Sequence, residues 1–254
     1  LFNLQKKIKI IKTGKDEYRW DNLTARINKT TVLCFAQTKL MHQPVAGFIH
    51  LAIFWGFIIF LIPVTESFLK GFYSKFSFNF PENISFIFSA VNQVFSVSVL
   101  FAVAAAIARR YIIKIKRLQI SKAGNKDALI ILLLIAGIVV TMSIQSASEN
   151  NFISGNELIP VSRMLLSVLP AGAVNLSNTI FETSWWIHNF LILAFLNYLP
   201  FSKHFHIITS IPNVFFSKLG NKFIITPINL EDENTEIFGA SDTDELSWKQ
   251  ILNG

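Results

Sequence analysis

The residues best placed to do chemistry in this sequence are histidines. Three of its five fall in one stretch, WWIHNFLILAFLNYLPFSKHFH, which runs from Trp185 to His206. His188 lies near one end, and His204 and His206 lie near the other. A fourth, His50, sits in QPVAGFIHLAIFWGFIIFL. Both stretches are apolar enough to sit in lipid, and the first has no Asp, Glu, Lys or Arg before Lys203. An ionisable side chain in such a setting is costly and marks function by default. Imidazole can ligate a metal, hydrogen-bond and carry a proton near neutral pH. The competing reading has His50 bonded to a backbone carbonyl and His206 resting among lipid headgroups. Spacing alone leaves both readings open.

The elements that must position these histidines are transmembrane helices. Of 254 residues, 52% are hydrophobic, 25 are Phe and only 15% are charged, against roughly 25% charged in soluble domains. Crossing a bilayer core as a helix takes about 20 mostly apolar residues. Four stretches qualify: Val45 to Ile62, Ser85 to Ala108, Ala128 to Ile144, and the Trp185 to His206 stretch itself. Their backbones must satisfy their own hydrogen bonds in lipid, and the runs do not alternate as barrel strands would. The fold class expected is therefore all-α, a polytopic membrane bundle of four helices spanning 45–212. A basic segment, 1–44, precedes it, and a tail, 213–254, follows and ends in a short helical pattern around DELSWKQIL. Leu165 to Leu176, broken by Pro170, reads as an amphipathic surface segment.

Lys and Arg set the direction of the spans. Nine of them, from Lys6 to Lys39, precede the first span, and seven, from Arg109 to Lys126, follow the second. The loop after the first span has only Lys70 and Lys75, and the region after the third has Arg163. The N-terminus, the middle basic loop and the tail are thus expected on the cytoplasmic side of the membrane. The net charge of +7 is a topology signal beside anionic lipid, with no nucleic-acid partner implied. Cys34 is the single cysteine, so it can neither form an internal disulfide nor hold an iron–sulfur cluster alone. The start at Leu1 and the polar ending at Gly254 read as those of a fragment or a processed product, and the basic N-terminal segment as the cytosolic end of an earlier helix.

If the last span is one helix, His188 and His206 point the same way about 27 Å apart, since eighteen residues are close to five turns. They would mark two sites, one near each membrane face. His50, early in the first span, falls at the depth of His206 on an antiparallel helix. Two facing imidazoles can fill the axial positions of a haem iron. Ala46, Gly47 and Gly56 offer small residues where a porphyrin would meet the helix, and Lys203, Lys39 or Arg110 would neutralise its propionates. His204 lies about 200° from His206 around such a helix and cannot share its ligand. Met142 and Gln145, near the outer end of the third span, are candidate ligand or quinone contacts, more often packing residues.

The segment IHNFLILAFLNYLPFSKHFH resembles the last helix of the gamma subunit of respiratory nitrate reductase, a dihaem cytochrome b. GFIHLAIFWGFIIFL resembles that subunit's other ligand-bearing helix. Taken whole, QPVAGFIH, YLPFSKHFHIITSIPNVFF and IFGASDTDELSWKQIL, in that order, resemble the membrane half of bacterial iron–sulfur oxidoreductases related to heterodisulfide reductase. The resemblance implies a b-type haem held by His50 and His206. It implies 4Fe-4S clusters on a continuation or a partner, since no cysteine motifs follow the tail. Where the family's second early-helix histidine would stand this sequence has Phe60, so one haem is carried over and a second lacks a ligand.

His188, beside Trp185 and Trp186, is left to hydrogen-bond a quinone carbonyl and relay its proton. The tryptophans alone would also suit an interfacial belt. The function expected is a membrane anchor passing electrons between a membrane quinone and a cytoplasmic iron–sulfur module. The alternatives are a haem-free quinone-binding anchor, a sensor anchor with the tail as its output, and a small transporter. The spans lack the mid-membrane acid that a proton-coupled carrier would use.

Overall fold

A computed structural model describes residues 2–119, 121–148, 177–220, 242 and 245–253. The expected surface segment at Leu165 to Leu176 lies outside them. The described residues are helical apart from turns and one isolated bridge, Lys15 to Ser247. They fall into two compact units, Leu40–Lys203 and Leu1–Lys39 with His204–Gly254.

The first unit holds four long helices: α3 (Pro44–Lys70), α4 (Glu82–Ile107), α5 (Lys122–Ser148) and α6 (Ser177–Tyr198). Neighbours in sequence pack together, α3 on α4, α4 on α5 and α5 on α6, and α6 touches α3 to close the set. Pro44 opens α3 at a position where its missing N–H costs nothing. Three helices are long and apolar enough to cross a membrane: Pro44–Lys70, Glu82–Ile112 and Ala123–Ser148. Only 17% of the most apolar window of the first is buried within the chain. Phe101 and Phe190 stand 77% and 71% exposed. Apolar surface on this scale is stable only against lipid or another protein. The core itself is narrow: Phe60, Val99, Val103, Leu132, Val139 and Met142.

The fourth expected span differs from the sequence reading. α6 ends at Tyr198, two residues before Pro200, whose ring cannot continue the i→i−4 ladder. A 3₁₀ turn, Leu199–Phe201, follows, then Ser202 in extended backbone at φ −93° and ψ 164°. A second 3₁₀ turn, Lys203–Phe205, leads into α7 (His206–Phe215). His188 and His206 therefore lie on separate helices, and their eighteen-residue spacing does not measure five turns of one rod.

The second unit joins the N-terminal segment to the tail. It contains α1 (Phe2–Ile11), α2 (Leu23–Thr30), a π turn at Thr31–Phe35, α7 and α8 (Trp248–Asn253). α2 packs on α7, and α1 on α8. Arg26 is 1% exposed, and every part of its guanidinium is used. Nε donates to the Asp21 carbonyl at 2.8 Å, and Nη1 donates to the carbonyls of Phe215 and Ser217, each at 2.9 Å. Nη2 pairs with the Asp21 carboxylate. A cation at the orphan carbonyls of a helix C-terminus complements both their lone pairs and the helix dipole. Lys249, 2% exposed, donates to the carbonyl and side-chain oxygens of Asn213, and burial holds its pKa below the ordinary lysine range. The short helix expected around DELSWKQIL is present, and it is tied to residues 15–17. Lys15 N donates to Leu246 O at 2.8 Å, Trp248 N to Lys15 O at 3.1 Å, and Trp248 Nε1 to Glu17 O at 2.9 Å.

Two consequences can be measured. At Gly56 an added Cβ would run into Val99 of α4. Gly56→Leu should lower the thermal unfolding midpoint of the purified protein, by an amount corresponding to about 1–3 kcal/mol of overpacking. Gly220→Ala, where nothing lies within 4 Å, should leave the midpoint unchanged. Trp248→Ala removes the indole bond to Glu17 and the edge contact with Phe216. It should release residues 245–253 to limited proteolysis at protease concentrations that leave them uncut in the unaltered chain.

Candidate functional site

One end of the bundle is apolar outside and polar inside. A half-open cavity of about 260 Å³ lies where the C-terminal part of α3, the N-terminal part of α4, the C-terminal part of α5 and the N-terminal part of α6 meet. Its walls include Asn92 and Gln93 from α4, Met142 and Gln145 from α5, and Trp185 and His188 from α6. Glu66 and Lys70 of α3, paired at 3.2 Å, belong to the same lining.

His188 is 1% exposed. Its Nδ1 lies 3.0 Å from Thr141 Oγ1 and 3.1 Å from the Ile138 carbonyl. The Thr141 hydroxyl in turn lies 2.8 Å and 3.0 Å from the carbonyls of Gly137 and Ile138. A carbonyl oxygen can only accept, so Nδ1 carries the proton and donates it. The neutral ring then has its lone pair at Nε2. Trp185 donates from Nε1 to the Ser67 carbonyl at 3.2 Å, which fixes α6 against α3. Asn189 donates to the Trp185 carbonyl at 2.9 Å and to Ser67 Oγ at 3.3 Å. Trp186, 69% exposed, faces outward. Of the three residues expected at a quinone, His188 and Trp185 thus share a cavity wall, and Trp186 does not line it.

Sequence reasoning named Met142 and Gln145 and missed Asn92, Gln93, Ser96 and Thr141. The signal for the first two was present: VNQVFSVSV places adjacent amides inside an apolar span, where polar side chains face the bundle interior. The oxygens Asn92 Oδ1 and Gln93 Oε1 are buried with no hydrogen-bond partner. Such orphans cost about 1–3 kcal/mol each, and a bound ligand or water relieves them.

The other candidate residues lie toward the opposite end of α3 or in the second unit. His50 sits in the second turn of α3 and is half-buried, and His206 opens α7 and is exposed. They belong to different units. By donor chemistry two imidazoles suit haem iron. The cradle residue does not fit so simply. The space beside Gly47 is filled by the Leu40 carbonyl and Met41 sulfur of the preceding turn, and that beside Gly56 by Val99. α3 spends these glycines on close packing within its own chain. Phe60, at the place of the missing second ligand, is buried in the core. Among the described residues no cluster of three or more His, Cys, Asp or Glu could hold a metal ion.

Lys203 follows the break after α6. Its backbone N donates to Asp127 Oδ2 at 3.1 Å, the Tyr198 hydroxyl donates to Asp127 Oδ1 at 2.8 Å, and its side chain lies over Gly124. Arg110 is engaged with Asn125 Oδ1 at 2.9 Å and the Leu118 carbonyl at 3.3 Å.

Among the described residues the geometry defines an all-helical bundle with a polar cavity at one end, and three of its helices are long and apolar enough to cross a membrane. No family model and no solved structure matches the chain. Over its whole length it is 30% identical to the probable iron–sulfur-binding oxidoreductase FadF of Bacillus subtilis, and 27% identical to the EtfAB:quinone oxidoreductase of Syntrophomonas wolfei. The alignments cover 36% of each relative, so the chain spans about a third of their length. The chain is related in sequence to oxidoreductases.

Asp127 holds two groups across the break. Asp127→Leu should speed hydrogen exchange at the Lys203 amide about tenfold or more, as expected for a lost bond to a charged acceptor worth about 1.5–3 kcal/mol. Tyr198→Phe should change it less.

Proposed function

We propose that this chain is the membrane-embedded electron-transfer part of a quinone-linked iron–sulfur oxidoreductase. It passes electrons between a membrane quinone and an iron–sulfur module. The cavity beside His188, among three helices fit to span a bilayer, carries the reading. Its size suits an aromatic headgroup, and its walls combine Ser, Asn, Gln and His side chains with Phe88, Met142, Phe181 and Trp185. The similarity to an EtfAB:quinone oxidoreductase and to an iron–sulfur-binding oxidoreductase supplies the class of reaction. The iron–sulfur module belongs to a continuation of the chain or to a partner.

In this reading His50 and His206 would hold one b-type haem, which would supply a one-electron relay. Gly47 drops out as its cradle, for the reason of packing given above. Lys203 and Arg110 remain candidates for charge neutralisation at that level. His188, Trp185 and, at the rim, Trp186 serve the quinone. His188 takes up or releases a proton at Nε2. In this reading the His50 end lies at the cytoplasmic face of a bacterial inner membrane and the His188 end at the outer face, and the Lys/Arg distribution supports that direction. A second reading, a haem-free quinone-binding anchor, is favoured by the filled space at Gly47 and the buried Phe60.

A reduced-minus-oxidised optical spectrum of the purified protein separates the two. One haem should give a Soret and α-band signal lost in His50→Ala and in His206→Ala and kept in His188→Ala. No signal in the unaltered protein selects the haem-free anchor. A full signal in either of the first two variants overturns the ligand pair.

A further inference from the structure

A quinone carries protons as well as electrons. It becomes a hydroquinone when each carbonyl oxygen gains a hydrogen, so two electrons must be matched by two protons from water. Lipid and close-packed helices give a proton no path of their own. The side chains that line the cavity therefore decide where protons enter and leave.

Three titratable side chains belong to that lining: His188 of α6, and Glu66 and Lys70 of α3. From α4 and α5 come serine, asparagine, glutamine, methionine and phenylalanine side chains. These orient or pass a proton but hold none near neutral pH. His188, 1% exposed, does not meet bulk water itself. The side chain of Glu66 is 22% exposed and also lines the cavity, so it meets both sides. Its depth fits as well. Ser67 accepts at its carbonyl from the Trp185 indole at 3.2 Å and at Oγ from Asn189 at 3.3 Å. Residue 67 is thus level with α6 between Trp185 and Asn189, and Glu66 lies within about one turn of His188 along the bundle. In the other direction it is one turn from the end of α3 at Lys70. Of the ion pair, Glu66 is the deeper and the less exposed member. Two further carboxylates at this end, Glu82 of α4 and Glu182 of α6, are exposed and outside the lining.

We propose that Glu66 is the proton-exchange group of the cavity, passing protons between water at the C-terminal end of α3 and a quinone bound beside His188. This rests on the quinone reading. In reduction the iron–sulfur module supplies two electrons, one at a time. Glu66 takes a proton from water and gives it up toward the quinone oxygen that the electrons have made basic. The carboxylate is then ionised again, and a second passage completes the second hydroxyl. Oxidation of the hydroquinone runs the same steps backwards. Between passages the Lys70 ammonium, 3.2 Å away, holds the carboxylate in place.

The test uses the holoenzyme, this chain with its iron–sulfur module, in lipid nanodiscs without oxygen. The clusters are first reduced. The sample is then mixed rapidly with 2,3-dimethyl-1,4-naphthoquinone, and cluster re-oxidation is followed by absorbance over a range of quinone concentrations. Glu66→Gln should lower the limiting rate about tenfold or more, as loss of a general acid–base group does, with the half-saturating quinone concentration kept. Glu66→Asp should recover part of the rate, and so should added formate in Glu66→Gln, since each returns a carboxylate. Glu182→Gln should leave the rate unchanged. A smaller fall in Glu66→Gln, a change in half-saturation alone, a loss that neither Glu66→Asp nor formate repairs, or an equal loss in Glu182→Gln overturns the proposal and leaves the quinone site standing. No re-oxidation of the unaltered holoenzyme by the quinone overturns both.

Discussion

The carbonyl of Ile138 has no proton to give, and from this follows the chemistry of the ring bonded to it. Interhelical hydrogen bonds between neutral groups in a membrane bundle are worth about 0.6–2 kcal/mol. The contact joining α5 to α6 through Thr141, Ile138 and His188 is therefore a small part of what holds the helices together. Close packing does more of that work, with Gly56 admitting Val99 and Val139 and Met142 meeting Phe60. The polar contact acts instead on protonation. It puts the proton on Nδ1 and turns the other nitrogen into an acceptor in a place where water is scarce. An imidazole of the same burial bonded to a serine hydroxyl alone would keep either tautomer.

The serines around the cavity follow a related rule. In lipid, a hydroxyl on a helix finds its nearest acceptor in the carbonyl four residues back, and Thr65, Ser96, Ser98, Ser143 and Ser148 each take it. Such residues pass through an apolar span at little cost, and they present oxygen lone pairs sideways. Of these, Ser96 and Ser143 line the cavity and make its wall polar without adding charge. The Glu66–Lys70 pair supplies the charges among the lining residues, on the last turns of α3.

The three long apolar helices were legible because hydropathy over about 20 residues reports directly on membrane length. Their ends were less so. The first span was read as closing at Ile62, since Pro63 and Glu66 interrupt the apolar run, yet α3 continues to Lys70 with Pro63 inside it. Helix neighbours can re-satisfy the backbone around such a proline. The reverse happened at Pro200, where eighteen-residue spacing was read as one helix and the chain breaks. Pro200 alone does not distinguish kink from break, and the deciding partner, Asp127, lies more than seventy residues away. His188 and Trp185 were legible as a site; Thr141 was not, because a cross-helix partner leaves no mark in local sequence. The tail's short helix was legible in DELSWKQIL. Its pairing with residues 15–17 was not, since it rests on backbone bonds that almost any side chains permit.

The glycines of α3 bear on how many cofactors this bundle can hold. A macrocycle laid against a helix needs a gap one side chain deep, and Gly47 and Gly56 were the places in α3 where the sequence offered one. Both gaps are closed from within the chain, one by backbone at Leu40 and the other by Val99. Refilling the second would displace a residue that is 1% exposed and central to the core, at a cost of several kcal/mol typical of disrupted packing. Phe60, one turn further along and equally committed, occupies the position a second ligand would need. Toward the His188 end α3 meets α6 through the Ser67 bonds to Trp185 and Asn189, and the space left there is the 260 Å³ cavity. That volume suits a single aromatic headgroup.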